Sequence, residues 1–320
     1  MSALSCRTSS AKRERTCWTH NRNDDNTAEG CIQVNVEKTS RWPKIADRIL
    51  SLLIFLICSL LLFEPPFFAF NSTSKSLQVV TFIGLPLLFS MMAMLARWNR
   101  RFMEYFPAFC SFVIVSIGFL LLWLLDDFPR RWLGLDPKGP SGRAIIKVSD
   151  AVLLLLAVVV LGKLLQIDFD SIYLRKGSRP GLGIAIGLAG FALMALFAVV
   201  EAHSMGISNR RILEWAPWIL SFVLANGFFE ELMSRGLFLK KFEPLLGAAL
   251  SNLLTAFVFA IGHAGVTYSE DVLVFIAITF VFALIWGYLM QKTGSLWGSA
   301  LFHAGADTLI IIGIFADVKT

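Results

Sequence analysis

Long apolar runs alternate with short polar segments from residue 49 to near the end of the chain. Each run is close to the ~20 residues that a helix needs to cross the hydrocarbon core of a bilayer. The pattern predicts spans over 49–70, 77–96, 105–125, 151–167, 181–202, 215–239, 245–266, 271–290 and 296–315. Because Glu64-Pro65-Pro66 should end or kink the first helix, we expect eight or nine spans. The predicted fold class is all-α, a polytopic transmembrane helical bundle.

Composition supports this prediction and excludes other classes. Hydrophobic residues make up 56% of the chain and charged residues 16%, with a mean hydropathy of +0.67. These values exclude a disordered chain, a coiled coil and an ordinary soluble enzyme. The net charge of +6 comes from short basic clusters between apolar runs, which indicates membrane topology and no nucleic-acid partner.

The polar residues 1–48 predict a disordered cytoplasmic tail. Arg41, Lys44 and Arg48 precede the first span, so the positive-inside rule places the N-terminus in the cytoplasm. We expect an integral protein of a bacterial plasma membrane, with the lipid bilayer as one partner.

Ionisable residues inside spans are costly and indicate function. Glu230 and Glu231 are adjacent on one predicted helix, and Arg235 follows Glu231 by one turn, which predicts an ion pair. Consecutive helical positions lie about 100° apart, so Glu230 is free to point elsewhere into the bundle.

Two further spans carry histidines. His263 follows Phe259 by one turn, and His303 precedes Asp307 by one turn. This set suits hydrolysis by activated water, with a carboxylate as general base and histidines that hold the water or stabilise an oxyanion. Asp307 can fix the tautomer of His303. Two histidines and a glutamate also suit zinc, although the spacing His-Glu-x-x-His is absent.

Depth along the helices tests whether these groups form one site. Counted from the predicted cytoplasmic ends at about 1.5 Å per residue, Glu230 lies ~15 Å deep and His263 ~27 Å. One site therefore requires that the seventh helix begins after residue 245 or is strongly tilted.

Two other functions use the same residues. Buried acids and histidines can form the proton relay of a coupled transporter, although no internal repeat is visible in the sequence. A non-catalytic membrane scaffold is the other alternative. Substitution of Glu230 by glutamine separates the three hypotheses, because it abolishes cleavage or flux and leaves scaffold binding intact.

Three motifs in this order resemble the CPBP family of intramembrane proteases (CAAX protease and bacteriocin-processing enzymes, also called Abi). They are Glu230-Glu231-x-x-x-Arg235, Phe259-x-x-x-His263 and His303-x-x-x-Asp307. The resemblance implies that 213–315 is a catalytic transmembrane bundle, and it leaves 49–212 as a transmembrane region of unknown role.

The resemblance also implies roles for the residues. Glu230 would activate water with His263 and His303 close to it, and Glu231 and Asp307 would support the site. Asp307 stands where the prenyl-protease branch has asparagine, and since an ionised aspartate cannot donate to an oxyanion, we expect it to orient His303.

The implied activity is that of a type II CAAX prenyl endopeptidase-like protease with a peptide or protein substrate at the membrane. Arg235 would hold the glutamates, and Phe259 would support the site. The family is often described as metalloproteases, and a divalent metal such as zinc, if present, would be held by Glu230, His263 and His303. A glutamate mechanism without a metal is also argued for the prenyl-protease branch, so the resemblance leaves both alternatives open.

Overall fold

The computed structural model describes residues 45–266 and 271–316, and the backbone of two short strands before them. Within the separate unit 1–44, Thr16–Trp18 pairs antiparallel with Gly30–Ile32. The predicted disordered tail falls mostly outside the described residues and stays a prediction. Everything else that the structure assigns to regular elements is helical, which confirms the all-α class.

From Ile45 onward, the described residues form eleven α-helices. They are α1 Ile45–Phe70, α2 Lys75–Trp98, α3 Phe106–Leu125, α4 Phe128–Trp132, α5 Pro140–Leu164, α6 Pro180–Ser204, α7 Asn209–Glu231, α8 Leu239–Leu246, α9 Ala248–Ile261, α10 Val272–Thr293 and α11 Trp297–Ala316. A π-helical turn, Leu232–Gly236, continues α7. Eight helical segments of this described part are long and apolar enough to cross a membrane.

The helix at the seventh predicted span, 245–266, is too short to be added to these eight membrane-spanning segments. It becomes α9, whose 14 residues rise about 21 Å, against a hydrocarbon core of about 30 Å. Gly247 separates α9 from α8 with a backbone φ of +86°, a conformation that favours glycine. The first span is longer than expected, because α1 begins at Ile45 and continues through Pro65 and Pro66.

The predicted polar loop 126–150 contains more helix than the sequence indicated. It includes α4, and α5 begins at Pro140, eleven residues before the predicted start. Proline suits the first turn because its missing N–H has no helical acceptor there. Lys147 and Asp150, read as loop residues, therefore lie on a helix, where they form an ion pair of 3.5 Å.

Glycines bring α6 directly against α11. A Cβ at Gly187 would lie 2.5 Å from the carbonyl oxygen of Gly298, and a Cβ at Gly298 would lie 2.3 Å from that of Gly183. The glycines of α6 therefore allow the two helix backbones to approach closely. α11 also packs on α7, where a Cβ at Gly227 would lie 2.7 Å from the carbonyl oxygen of Ala300.

The linker between α5 and α6 fastens α8 and the start of α11. Tyr173 is buried and donates its phenol to Glu243 at 3.2 Å, while its carbonyl accepts from the Leu296 N–H at 3.0 Å. Burial, reinforced by the Glu243 carboxylate, raises the pKa of Tyr173, so the phenol keeps its proton. Lys240 on α8 pairs with Asp170 of the linker at 2.9 Å. These contacts fix the helix ends that carry the candidate site.

Candidate active site

The end of α7 places its two adjacent glutamates in different surroundings. Ser208 caps the start of this helix by accepting from the Arg211 N–H at 3.3 Å. Glu231 is completely buried, whereas the side chain of Glu230 keeps 17% of its surface exposed. Since neighbouring helical residues point about 100° apart, one carboxylate enters the protein interior and the other borders a cavity.

Both oxygens of Glu231 are engaged. Oε1 pairs with Arg235 and accepts from Nδ1–H of His303 at 3.0 Å, and Oε2 accepts from the Ser299 hydroxyl at 2.5 Å. The predicted pair between Glu231 and Arg235 is confirmed. Glu231 thus ties the end of α7 to α11 through charge-assisted hydrogen bonds, which suits support of the site.

Arg235 is fully buried between aromatic rings. Its guanidinium carbon lies 4.4 Å from the ring centre of Phe259 on α9 and 5.5 Å from that of Trp286 on α10. Two of its nitrogens, Nε and Nη2, have no hydrogen-bond partner among the described residues, so the rings supply the remaining stabilisation. The Phe259 side chain therefore supports Arg235, and through it Glu231.

His303 lies at the centre of the cluster. Its ring stacks on Trp286 with centroids 3.9 Å apart and planes 11° from parallel. Nε2 lies 3.4 Å from Oε2 of Glu230 and 3.5 Å from Oδ1 of Asp307. Asp307 is held in turn by Asn226, whose amide donates to Oδ2 at 3.0 Å. Because Nδ1 is turned to the other glutamate, Nε2 is the nitrogen that faces the reactive side.

His263 follows the C-terminal end of α9, in the turn after Ile261. Its Nδ1 lies 2.8 Å from the carbonyl oxygen of Phe259, and because a carbonyl only accepts, Nδ1 carries the proton. An imidazole with its single proton on Nδ1 presents a lone pair at Nε2. His263 and Glu230 line the same cavity, of about 250 Å³. The depth conflict is resolved because α9 starts at Ala248 and stops before the histidine.

Seven of the sixteen residues that line the cavity are phenylalanines. Ser59, Ser234 and Thr255 add hydroxyl groups near the polar end formed by Glu230 and His263. The phenylalanines of the wall come from α1, α3, the segment before α8, and α9: Phe55, Phe63, Phe67, Phe70, Phe119, Phe238 and Phe259. The site therefore combines a carboxylate and a histidine with an apolar chamber to which α1 contributes six of the sixteen lining residues.

The structure thus brings all seven residues of the three motifs into one cluster. Sequence reasoning missed four residues that contact or approach it: Asn226, Trp286, Ser299 and Lys147. Helical spacing could have identified two of them, because Asn226 precedes Glu230 by one turn and Ser299 precedes His303 by one turn. Nothing in the local sequence marks Trp286 or Lys147.

The three residues expected to hold a metal do not converge. Among the described residues, no group of three or more histidine, cysteine, aspartate or glutamate side chains could hold a metal ion. His303 directs Nε2 at Glu230, but the Phe259 ring lies against both histidines, with centroids 4.7 Å from His263 and 5.6 Å from His303. In this geometry the three side chains do not form a metal site, so a metal stays a prediction and the steps below use the side chains of the chain alone.

Comparison with protein families gives a match to part of the chain. Residues 212–309, under a third of the chain, match the family described as type II CAAX prenyl endopeptidase Rce1-like. The match includes all three motifs and confirms the resemblance to the CPBP proteases for this region. No curated protein and no solved structure matches the chain.

Proposed function

We propose that this protein is an intramembrane endopeptidase in which Glu230 activates the water that hydrolyses a peptide bond. The observation that supports this proposal most is the difference in surroundings between the two glutamates. Glu231 has both oxygens occupied by buried donors, whereas Glu230 borders the cavity with His263 and lies 3.4 Å from Nε2 of His303. A free carboxylate beside histidines is what a general base for water requires.

The geometry suggests the order of proton movements. The Glu230 carboxylate takes one proton from a water molecule. The other O–H of that water donates a hydrogen bond to Nε2 of His263 and stays intact. The hydroxide attacks the scissile carbonyl carbon, and His303, as an imidazolium that keeps its Nδ1–H bond to Glu231, donates Nε2–H to the oxyanion. The proton held by Glu230 then passes to the leaving amine. Glu231, Asp307 and Arg235 keep the groups that move protons in position.

The cavity wall favours a substrate with an apolar group. About 250 Å³ lined by seven phenylalanines suits a lipid chain or large apolar side chains next to the scissile bond. The family described as type II CAAX prenyl endopeptidase supports a lipid-modified peptide as the substrate class. We propose that a membrane-associated or prenylated peptide enters with its apolar part in this chamber.

Cleavage of a fluorogenic farnesylated CAAX-type peptide by the purified protein in lipid nanodiscs tests the proposal. Glu230→Gln should lower kcat at least ~10²-fold, because the amide cannot take the proton. Glu201→Gln is the control, since Glu201 is an exposed glutamate on α6. Mass spectrometry of peptide termini in membranes that carry the wild type, compared with membranes that carry Glu230→Gln, identifies natural substrates. Unchanged cleavage by Glu230→Gln would overturn the mechanism. The peptidase assignment would be overturned if the wild type neither cleaved the peptide nor produced membrane peptide termini that Glu230→Gln lacks.

A further inference from the structure

Lys147, from the region of unknown role, reaches the cluster with spare hydrogen-bonding capacity. Its Nζ lies 3.5 Å from Oδ2 of Asp150 and 5.5 Å from the ring centre of Phe229. These are its contacts among the described residues, and an ammonium has three N–H donors. The side chain keeps 28% of its surface exposed.

The position of Lys147 places it on a different side of Glu230 from the aromatic cavity. Its neighbour Phe229 immediately precedes Glu230 on α7 and does not line that cavity. Since Phe229 is the residue before Glu230, its contact with the ammonium places Lys147 beside the end of α7 that carries the site. A peptide crossing the site from the cavity past Glu230 would therefore approach Lys147.

The charges of the cluster make a cation necessary for an anionic substrate. Glu230, Glu231 and Asp307 would repel a carboxylate brought next to the scissile bond. Arg235 cannot offset this repulsion by contact, because it is fully buried and paired with Glu231. Lys147 is partly exposed, and its Nζ is not saturated by protein acceptors.

We propose that Lys147 binds the C-terminal carboxylate of the peptide, so that the enzyme selects a bond close to a free C-terminus. This inference rests on the proposed peptidase function and assigns to α5 a part in substrate selection. Asp150 positions the ammonium from one side, and the substrate carboxylate accepts hydrogen bonds from its remaining N–H groups on the other side. The competing interpretation is that Lys147 only neutralises the buried carboxylate of Asp150.

A matched pair of peptides distinguishes these interpretations. The two farnesylated peptides are identical except that one ends in a free carboxylate and the other in a carboxamide. Wild type should cleave the acid with a kcat/KM on the order of 10- to 100-fold higher, the effect of one hydrogen bond between charged groups. Lys147→Met should abolish this preference through a higher KM for the acid, with the amide unaffected.

Two control variants define the result further. Lys147→Arg should keep most of the preference, because it retains a cationic donor. Lys163→Met should keep all of it, since Lys163 is exposed near the other end of α5. The ratio of acid to amide cleavage is taken within one preparation, so a smaller folded fraction of any variant cancels.

Each outcome decides between the proposals. If wild type cleaves both peptides equally, or Lys147→Met keeps the preference, the carboxylate assignment is wrong and the peptidase function stands. If wild type cleaves neither peptide and its membranes show no specific new termini, the peptidase function fails and this inference fails with it.

Discussion

Replacement of Arg235 by methionine should destabilise the fold strongly. Arg235 and Glu231 are each 0% exposed, and breaking a buried pair costs about 3–5 kcal/mol because the remaining charge is uncompensated. Ser299 and His303 would still donate to Glu231, which favours the lower end of this range. Loss of the guanidinium from the Phe259 ring adds about 0.5–2 kcal/mol. We expect a total loss of about 4 kcal/mol.

Unfolding in mixed micelles by SDS titration, followed by tryptophan fluorescence, measures this loss. The control is Arg210→Met, because Arg210 is 90% exposed and its surface pair with Glu214 is worth less than about 1 kcal/mol. The double variant Glu231→Gln/Arg235→Met removes both charges, so it should be about 1–3 kcal/mol more stable than the sum of the single losses predicts.

Additive losses in the double variant would refute the reasoning, as would a loss for Arg235→Met no larger than that for Arg210→Met. In either case the buried pair would not be what holds the end of α7, and the supporting role of Glu231 would fall. Glu230→Gln, measured alongside, should change the free energy of unfolding by less than about 1 kcal/mol, because its carboxylate is partly exposed.

Three further predictions concern packing, pH and metal dependence. Gly298→Val should lower both the melting temperature and activity, because its Cβ would lie 2.3 Å from the Gly183 carbonyl oxygen, whereas Gly84→Ala, with open space around it, should change neither. The hydrogen bond from Lys240 lowers the pKa of Asp170 below its ordinary 3.8, so this stabilisation is present above that value and lost as pH falls through the folded-state pKa. Asp170→Asn should therefore lose less stability than wild type between pH 6 and pH 2.5; an equal loss would contradict the assignment. Because the expected metal donors do not converge, cleavage should withstand EDTA and 1,10-phenanthroline; loss of activity that added zinc restores would show the opposite.

The fold and the main cluster were predictable because each follows from local rules. Apolar runs define the helices, and one-turn spacing places Glu231 beside Arg235. The length of α9 was not predictable, since its limit depends on the positive φ at Gly247 and on a turn that begins before His263. The early start of α5 was not predicted, because charged residues such as Lys147 usually indicate a loop in a membrane protein. Their pairing and packing become visible only when α5 lies against α7.

In the proposed mechanism, the adjacency of the two glutamates lets one helix end serve two tasks. A base for water must remain reachable, and a charge that orients neighbouring helices must be buried and fully paired. One side chain cannot meet both conditions, but two consecutive ones can, because the helix turns them about 100° apart. Glu231 is tied to α11 and to Arg235, so the backbone that carries Glu230 is fixed by its own neighbour. Exchanging the two environments would need a rotation of α7, which would disrupt the close packing of Gly227 on Ala300. The catalytic assignment of Glu230 and the structural assignment of Glu231 therefore stand or fall together.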